Sequence, residues 1–267
     1  MLPAELAVVF RRLRTQAVLL VLAAIPVALC VALRLSGGGP EAGEGPRFLD
    51  QVTHNGVFAA LAGLTVTLPI FLPLGAAVVA GDAIAGEASL GTLRYLLVRP
   101  AGRTRLLLVK GLTVAIFCVV AALTVAFAGL IAGAALFPIG AVTTLSGTTV
   151  SLGAGTVRAL GAALVVGLSL LGLAAIGLFI STLTDAPVGA IAATVAIVII
   201  CGVVDTVPQL HALHPWLLTH WWLAFGDLLR TPVRWTDVQR DLVLQLGYVV
   251  VFGTAAWARF TTKDVLA

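Results

Sequence analysis

The run LLLVKGLTVAIFCVVAALTVAFAGLIAGAALF, Leu106–Phe137, contains one charged residue, Lys110. It is longer than the roughly 20 apolar residues that a helix needs to cross a bilayer. The rest of the chain has a similar character, since 60% of its 267 residues are hydrophobic, 10% are charged and the mean hydropathy is +1.10. So little polar surface cannot cover a soluble globule of this size. The sequence therefore predicts a protein of the lipid bilayer.

Other apolar runs of spanning length are bounded by charges or by Pro and Gly clusters. With Leu106–Phe137 they make six predicted spans, the others being Thr15–Leu35, Val57–Ala80, Ala159–Thr182, Val188–Val204 and Leu242–Ala258. Membrane helices tolerate interior prolines such as Pro69 when neighbouring groups satisfy the freed backbone carbonyls. We predict an all-α polytopic membrane protein that forms a single transmembrane domain over residues 1–267.

Basic residues are distributed unequally between the two sides that six spans define. The side with both termini holds ten of the 16 Lys and Arg residues, and the other side holds six together with several carboxylates. Cytoplasmic loops carry the excess of Lys and Arg in membrane proteins. This distribution predicts cytoplasmic termini in the plasma (inner) membrane, a cytoplasmic segment at 81–105 and an external loop at 205–241.

The segment GEASLGTLRYLLVRPAGRTRLLLVKG, Gly86–Gly111, is too basic to enter the bilayer. Its four arginines before Leu106 would together cost on the order of 10 kcal/mol at the centre of a membrane. Leu90, Leu93 and Leu97 nevertheless have helical spacing, and Pro100 then ends the pattern. We predict a short amphipathic helix. It would serve either as an interfacial lipid anchor or as a docking helix for a cytoplasmic partner.

The order of residues in this segment resembles the signature of ABC-2 type permeases, the membrane subunits of ATP-binding-cassette exporters. The matching residues are Glu87, Gly91-Thr92-Leu93, Leu96-Leu97, Arg99-Pro100, Arg103, Leu106-Leu107-Leu108 and Lys110. An N-terminal amphipathic lead-in at 3–14, six spans, the long loop before the last span and the ending RFTTKDVL are also similar to that family. The resemblance therefore extends over the whole chain.

The resemblance implies a translocation pathway for a hydrophobic or amphipathic substrate, such as a drug, antibiotic, lipid or peptide. It implies that a coupling helix between the second and third spans docks on a separate ATPase subunit, through Glu87, Gly91, Thr92, Leu93, Arg94 and Leu97. Arg99, Pro100 and Arg103 would shape the turn and seat it at the membrane surface. The implied partners are two ATPase subunits and a second permease chain, identical or different.

The chain has no P-loop of its own, because Lys110 and Lys263 are followed by Gly111 and Asp264 rather than by Ser or Thr. We therefore predict no catalytic residues, no enzymatic activity and no cofactor bound by this chain, with ATP and magnesium bound on the partner ATPase. The basic residues act as topology signals rather than as a nucleic-acid surface. The alternative function is a non-transport membrane scaffold or assembly factor that the basic helix anchors to lipid.

The loop before the last span contains His211, His214 and His220 together with four of the five tryptophans. In HALH, His211 and His214 have the spacing to share a helical face and bind Zn or Cu, with Asp205 or Asp227 as a guessed further ligand. No Cys or further His completes a set, so we expect polar interfacial residues and no metal. The tryptophans of the loop predict short external helices at the outer interface.

The interiors of the predicted spans offer few side chains suited to proton transfer or metal binding. No Asp, Glu, Lys, Arg or His lies clearly at the centre of a span, which disfavours an ion-coupled secondary transporter. Cys30, Cys118 and Cys201 have no metal-binding spacing and are expected to be small core residues. Gly129 and Gly133 form a GxxxG pattern that predicts close helix packing.

Overall fold

A computed structural model of the chain describes residues 1–36, 48–89, 91 and 102–262. Its α-helices are α1 Leu2–Arg11, α2 Leu13–Leu35, α3 Leu49–Val52, α4 Phe58–Thr67, α5 Phe71–Ser89, α6 Arg103–Leu136, α7 Leu152–Ser169, α8 Leu171–Leu183, α9 Pro187–Asp205 and α10 Thr236–Thr262. Six helical segments are long and apolar enough to cross a membrane, with α7 and α8 together counting as one. The protein is therefore an all-α polytopic membrane protein, as predicted.

Two of the spans are interrupted helices. The second span consists of α4 and α5, separated at Leu68–Ile70, where Pro69 has no backbone N–H to donate. Near this break the hydroxyl of Thr67 donates to the carbonyl of Gly63 at 2.8 Å. The fourth span divides at Leu170, between α7 and α8. The second span also continues to Ser89, beyond the predicted end at Ala80, because the carboxylates in its last turns find basic partners.

Helix α6 packs along α4 through its two glycines. A Cβ on Gly133 would lie 2.0 Å from the carbonyl oxygen of Gly56, and a Cβ on Gly129 would lie 2.7 Å from Cα of Ala60. The backbones therefore approach more closely than any side chain would allow. The prediction of close packing at the GxxxG pattern is confirmed, and the partner is a helix of the same chain.

The outer faces of α9 and α10 remain apolar and exposed. Ile199 and Ile200 on α9 are each 60% exposed, and Val251 on α10 has the same exposure. An exposed apolar face of this kind is expected where helices meet lipid tails rather than water. Both helices therefore lie at the periphery of the bundle.

The two ends of the bundle differ in structure. The basal end, as we call it, comprises α1, the last turns of α5, the first turns of α6 and the last turns of α10. The apical end comprises an antiparallel hairpin, with β1 Val142–Thr143 paired to β2 Thr149–Val150, and the 3-10 turns Pro208–Leu210, His214–Trp216 and Trp222–Leu229. These turns occupy the loop in which short helices were predicted, and they are 3-10 rather than α-helical.

Candidate functional site

A buried lysine connects three helices at the basal end. Lys110, on α6, is 3% exposed, and its Nζ lies 2.5 Å from Oε1 of Glu87 on α5 and 2.9 Å from Oε1 of Glu5 on α1. An ammonium group is removed from water at a large cost unless carboxylates surround it. The ion pairs therefore explain why Lys110 is accommodated inside the bundle.

A second ionic group lies beside the first. Asp82, on α5, accepts from Nη1 of Arg12 at 2.5 Å, and Arg14 lies 3.5 Å from its other carboxylate oxygen. Arg12 is the extended residue between α1 and α2, so this contact fixes the angle between the two helices. A cavity of about 30 Å³ separates the two ionic groups. It is large enough for water but not for a transported solute.

Ionisable residues are buried within the spanning helices. We expected none of them clearly at the centre of a span. Lys110 and Asp82 are buried towards the ends of their spans, as is Asp241 on α10. Each has an oppositely charged or hydrogen-bonding partner from another helix, and such pairing makes a buried charge tolerable. The spans therefore carry buried charge, towards their ends rather than at their centres.

The predicted coupling residues are described only in part. Glu87 and Arg103 lie at the two ends of the segment, and Gly91 follows α5 with a φ of 68°, the left-handed region that favours glycine. Its backbone N–H donates to the carbonyl of Ala88 at 3.0 Å, a turn at the end of α5. The remaining predicted residues lie outside the described ranges: Thr92, Leu93, Arg94, Leu97, Arg99 and Pro100.

Arg103 connects the segment to the last helix. Its Nη1 donates to the carbonyls of Thr261 at 2.9 Å and of Phe260 at 3.4 Å, at the C-terminal end of α10. A guanidinium at this position both satisfies orphan carbonyls and complements the negative end of the helix dipole. One turn away, the indole of Trp257 donates to Thr104 at 2.9 Å. The start of α6 is thereby attached to α10.

Two apolar grooves flank α10. One, of about 940 Å³, lies between α10 and the 3-10 turns, with Trp216, Trp221, Arg240 and Tyr248 in its wall. The guanidinium of Arg240 is 5.4 Å from the ring centre of Trp221. The other, of about 670 Å³, is lined by aliphatic side chains of α6, α8 and α10 together with Trp257. Both have the size and the apolar walls that suit amphipathic molecules.

A buried polar junction fixes the apical turns to the bundle. The hydroxyl of Ser169, at the end of α7, donates to the carboxylate of Asp241, and the amide of Gln245 donates to the same carboxylate at 3.1 Å. The indole of Trp222 donates to the carbonyl of Ser169 at 3.1 Å. Sequence reasoning missed this junction, because its members come from three separate segments of the chain.

The apical histidines are not grouped in the way that the spacing of HALH would allow. His211 is exposed and lies outside the cluster, whereas Asp205, His214 and His220 each place one potential ligand atom within 4.8 Å of the others. Asp205, the guessed carboxylate, is therefore in the cluster, and Asp227 instead pairs with Arg230 at 2.6 Å. Residues 211–213 form a turn between two short 3-10 helices, so no continuous helix contains HALH and the two histidines do not share a helical face.

Comparison with known proteins gives a family but no activity. No curated protein matches the sequence. A family model described as a protein of unknown function, DUF2705, matches residues 41–266, which is most of the chain. That description names no activity, so the resemblance to ABC-2 permeases stays a prediction. On the extent of this match, the chain belongs to the DUF2705 family.

Proposed function

We propose that the chain is the membrane-spanning permease subunit of an ABC exporter, driven by ATP hydrolysis on a separate subunit. The observation that carries the proposal is the double ion pair of Lys110 with Glu87 and Glu5 at the base of the predicted coupling segment. A docking segment transmits force only if its ends are firmly joined to the helices that must move.

The ion pair joins the two helices that the predicted coupling segment connects. Glu87 lies on α5 before the other predicted docking residues, and Lys110 follows them on α6, so we expect a displacement of the segment to act on the second and third spans together. Separating a buried pair of this kind costs about 3–5 kcal/mol, which is larger than thermal energy by several fold. Glu5 adds α1 to the same joint. We therefore expect α1, α5 and α6 to move together when the coupling segment is displaced.

Glu87 is better placed to position the segment than to contact a partner. Its side chain is 13% exposed and lies against Lys110. We therefore assign it a positioning role and propose that Leu93, Arg94 and Leu97 make the principal contact with the ATPase. Arg103 adds a connection to α10, so the sixth span would respond to the same displacement.

The grooves along α10 support a hydrophobic or amphipathic substrate. Their walls are mainly aliphatic and aromatic, and Arg240 lies at the margin of the larger groove, near the end of the span. An amphipathic molecule has an apolar body for such a wall and a polar group for the guanidinium. We propose that the basal end faces the cytoplasm, and that two permease chains assemble with two ATPases in the plasma membrane.

Co-purification tests the proposal. The full chain is co-expressed with an ABC ATPase subunit of the same organism and captured from detergent. We expect a stable complex that Leu93→Asp/Leu97→Asp dissociates, because carboxylates cannot replace leucines in an apolar contact. Leu13→Asp is the control, since Leu13 is 82% exposed at the same end of the bundle. A folded double variant that retains the ATPase as well as Leu13→Asp does would refute the docking role and favour the scaffold alternative.

A further inference from the structure

We propose that Asp205, His214 and His220 form a binding site for a divalent transition-metal ion of the Zn²⁺ type at the apical end. Each residue offers one ligand atom, and these atoms lie within 4.8 Å of one another. Two imidazoles and one carboxylate are a common donor set for Zn²⁺, with a fourth position left for water. The site goes beyond the proposed transport function and does not depend on it.

The distances match the requirements of a single ion. Nδ1 of His220 lies 2.6 Å from Oδ1 of Asp205, a hydrogen bond that a bound ion would replace, and Nδ1 of His214 lies 3.8 Å from the same oxygen. Two ligands at about 2.1 Å from a tetrahedral Zn²⁺ are separated by about 3.4 Å. The three ligand atoms all lie within 4.8 Å of one another. We therefore expect rotations of the side chains to bring them to one ion.

The backbone presents His214 in the form that a metal requires. Its Nε2 lies 3.2 Å from the carbonyl oxygen of Val207, which can only accept a hydrogen bond. The proton is therefore on Nε2, and the lone pair of Nδ1 faces Asp205. Metal-bound histidines characteristically donate their other ring N–H to such a second group, which fixes the ring and its tautomer.

The surroundings hold His220 in place as well. The ring of Trp221 meets the ring of His220 edge-on, with centres 4.7 Å apart, and the indole N–H donates to the carbonyl of Pro215 at 3.1 Å. The side chains of the three ligands are between 17% and 29% exposed. The site is therefore ordered by its neighbours yet open to an ion from solution.

A bound ion would join two parts of the apical end. Asp205 is the last residue of α9, and both histidines belong to the turns that lead to α10. The carboxylate offsets one of the two positive charges of the ion, and the open position allows water or an external ligand to complete the shell. Zn²⁺ is thus expected to stabilise the connection between the fifth and sixth spans.

Calorimetry on the full-length protein tests the site. The protein is purified in detergent through a histidine-free tag and titrated with Zn²⁺. We expect one ion per chain, and an affinity at least about tenfold lower in His214→Ala, His220→Ala and Asp205→Asn. Asp205→Asn preserves the shape of the side chain and remains informative if a histidine variant fails to fold. His211→Ala is the matched control and should bind as the unmodified protein does, because His211 is outside the cluster.

Co²⁺ provides a second readout that a purely structural effect would not produce. Its visible d–d absorption should show a site of low coordination number in the unmodified protein and in His211→Ala, and should be lost in His220→Ala. The proposal is overturned if the unmodified protein shows no saturable Zn²⁺ binding. It is equally overturned if a folded Asp205→Asn or His220→Ala protein binds as tightly as His211→Ala.

Discussion

Nζ of Lys110 lies 2.5 Å from Oε1 of Glu87, and this contact joins two residues 23 positions apart, before and after the predicted docking residues 91–97. Both residues lie within helices of spanning length, and Lys110 is 3% exposed. The pair therefore closes the segment into a loop whose ends cannot move apart independently. The same nitrogen also binds Glu5, so the N-terminal helix belongs to this joint.

Lys110→Met should destabilise the protein by about 3–5 kcal/mol, because it leaves two carboxylates without their ammonium partner. Thermal unfolding of the purified protein in detergent measures the effect. Adding Glu87→Gln to Lys110→Met should recover part of the loss, since one uncompensated charge is then removed. Arg105→Met, at an exposed position on the same helix, should change the unfolding temperature little. Equal unfolding temperatures for Lys110→Met and Arg105→Met would contradict the burial of the pair.

Arg103→Gln should loosen the end of α10, because the guanidinium no longer binds the carbonyls of Phe260 and Thr261. We expect a stability loss on the order of 1 kcal/mol. Hydrogen exchange should accelerate over the last turn of α10 and not over its middle. Arg105→Gln removes the same charge without this contact and should leave the exchange unchanged. Protection at 257–262 that is identical in the two variants would show that Arg103 does not cap the helix.

Hydropathy predicted the spans well because a bilayer sets both their length and their composition. The observed α9, Pro187–Asp205, extends the predicted Val188–Val204 by one residue at each end. Charges predicted the end of the second span poorly. Because Asp82 and Glu87 are charged, the sequence predicted that the span ends before them. In the fold they form ion pairs with Arg12 and Lys110. A single sequence does not show which distant residues pair, so the ionic groups at the basal end could not be predicted.

The apical cluster illustrates a second limit of sequence reasoning. The spacing of His211 and His214 suggests a shared face only if one helix contains both, but residues 211–213 form a turn between two short 3-10 helices. The chain brings His214 close to His220 and Asp205 and leaves His211 outside. The sequence shows which residue types this loop contains. It does not show which of them lie together, because that depends on the path of the backbone.

Gly133→Ala should lower stability by about 1–3 kcal/mol, because the added methyl group would overlap the carbonyl of Gly56 and force α4 and α6 apart. The unfolding temperature in detergent measures this change. Gly161→Ala is the control, since its Cβ would meet nothing within 4 Å. Alanine at that helical position should be neutral or mildly stabilising. A Gly133→Ala protein as stable as Gly161→Ala would contradict the close approach of the two backbones.

Cysteine labelling should place the apical and basal ends on opposite sides of the membrane. Ser146→Cys in the hairpin and Ser89→Cys at the end of α5 are introduced separately, at exposed positions, into a chain whose three native cysteines are replaced by alanine. In intact cells, a membrane-impermeant maleimide should label Ser146→Cys and not Ser89→Cys, as the excess of basic residues at the basal end predicts. Labelling of Ser89→Cys alone would reverse the orientation.

Coupled ATP hydrolysis tests the central claim most directly. The permease, the ATPase that co-purifies with it and their complex are reconstituted separately in liposomes, and the rate of ATP hydrolysis is measured for each. We predict no hydrolysis by the permease alone and a rate for the complex that differs from that of the isolated ATPase. Leu93→Asp/Leu97→Asp should return the rate to that of the isolated ATPase, whereas Leu13→Asp should not. An ATPase rate that is the same with the permease, without it and with the double variant would contradict the account.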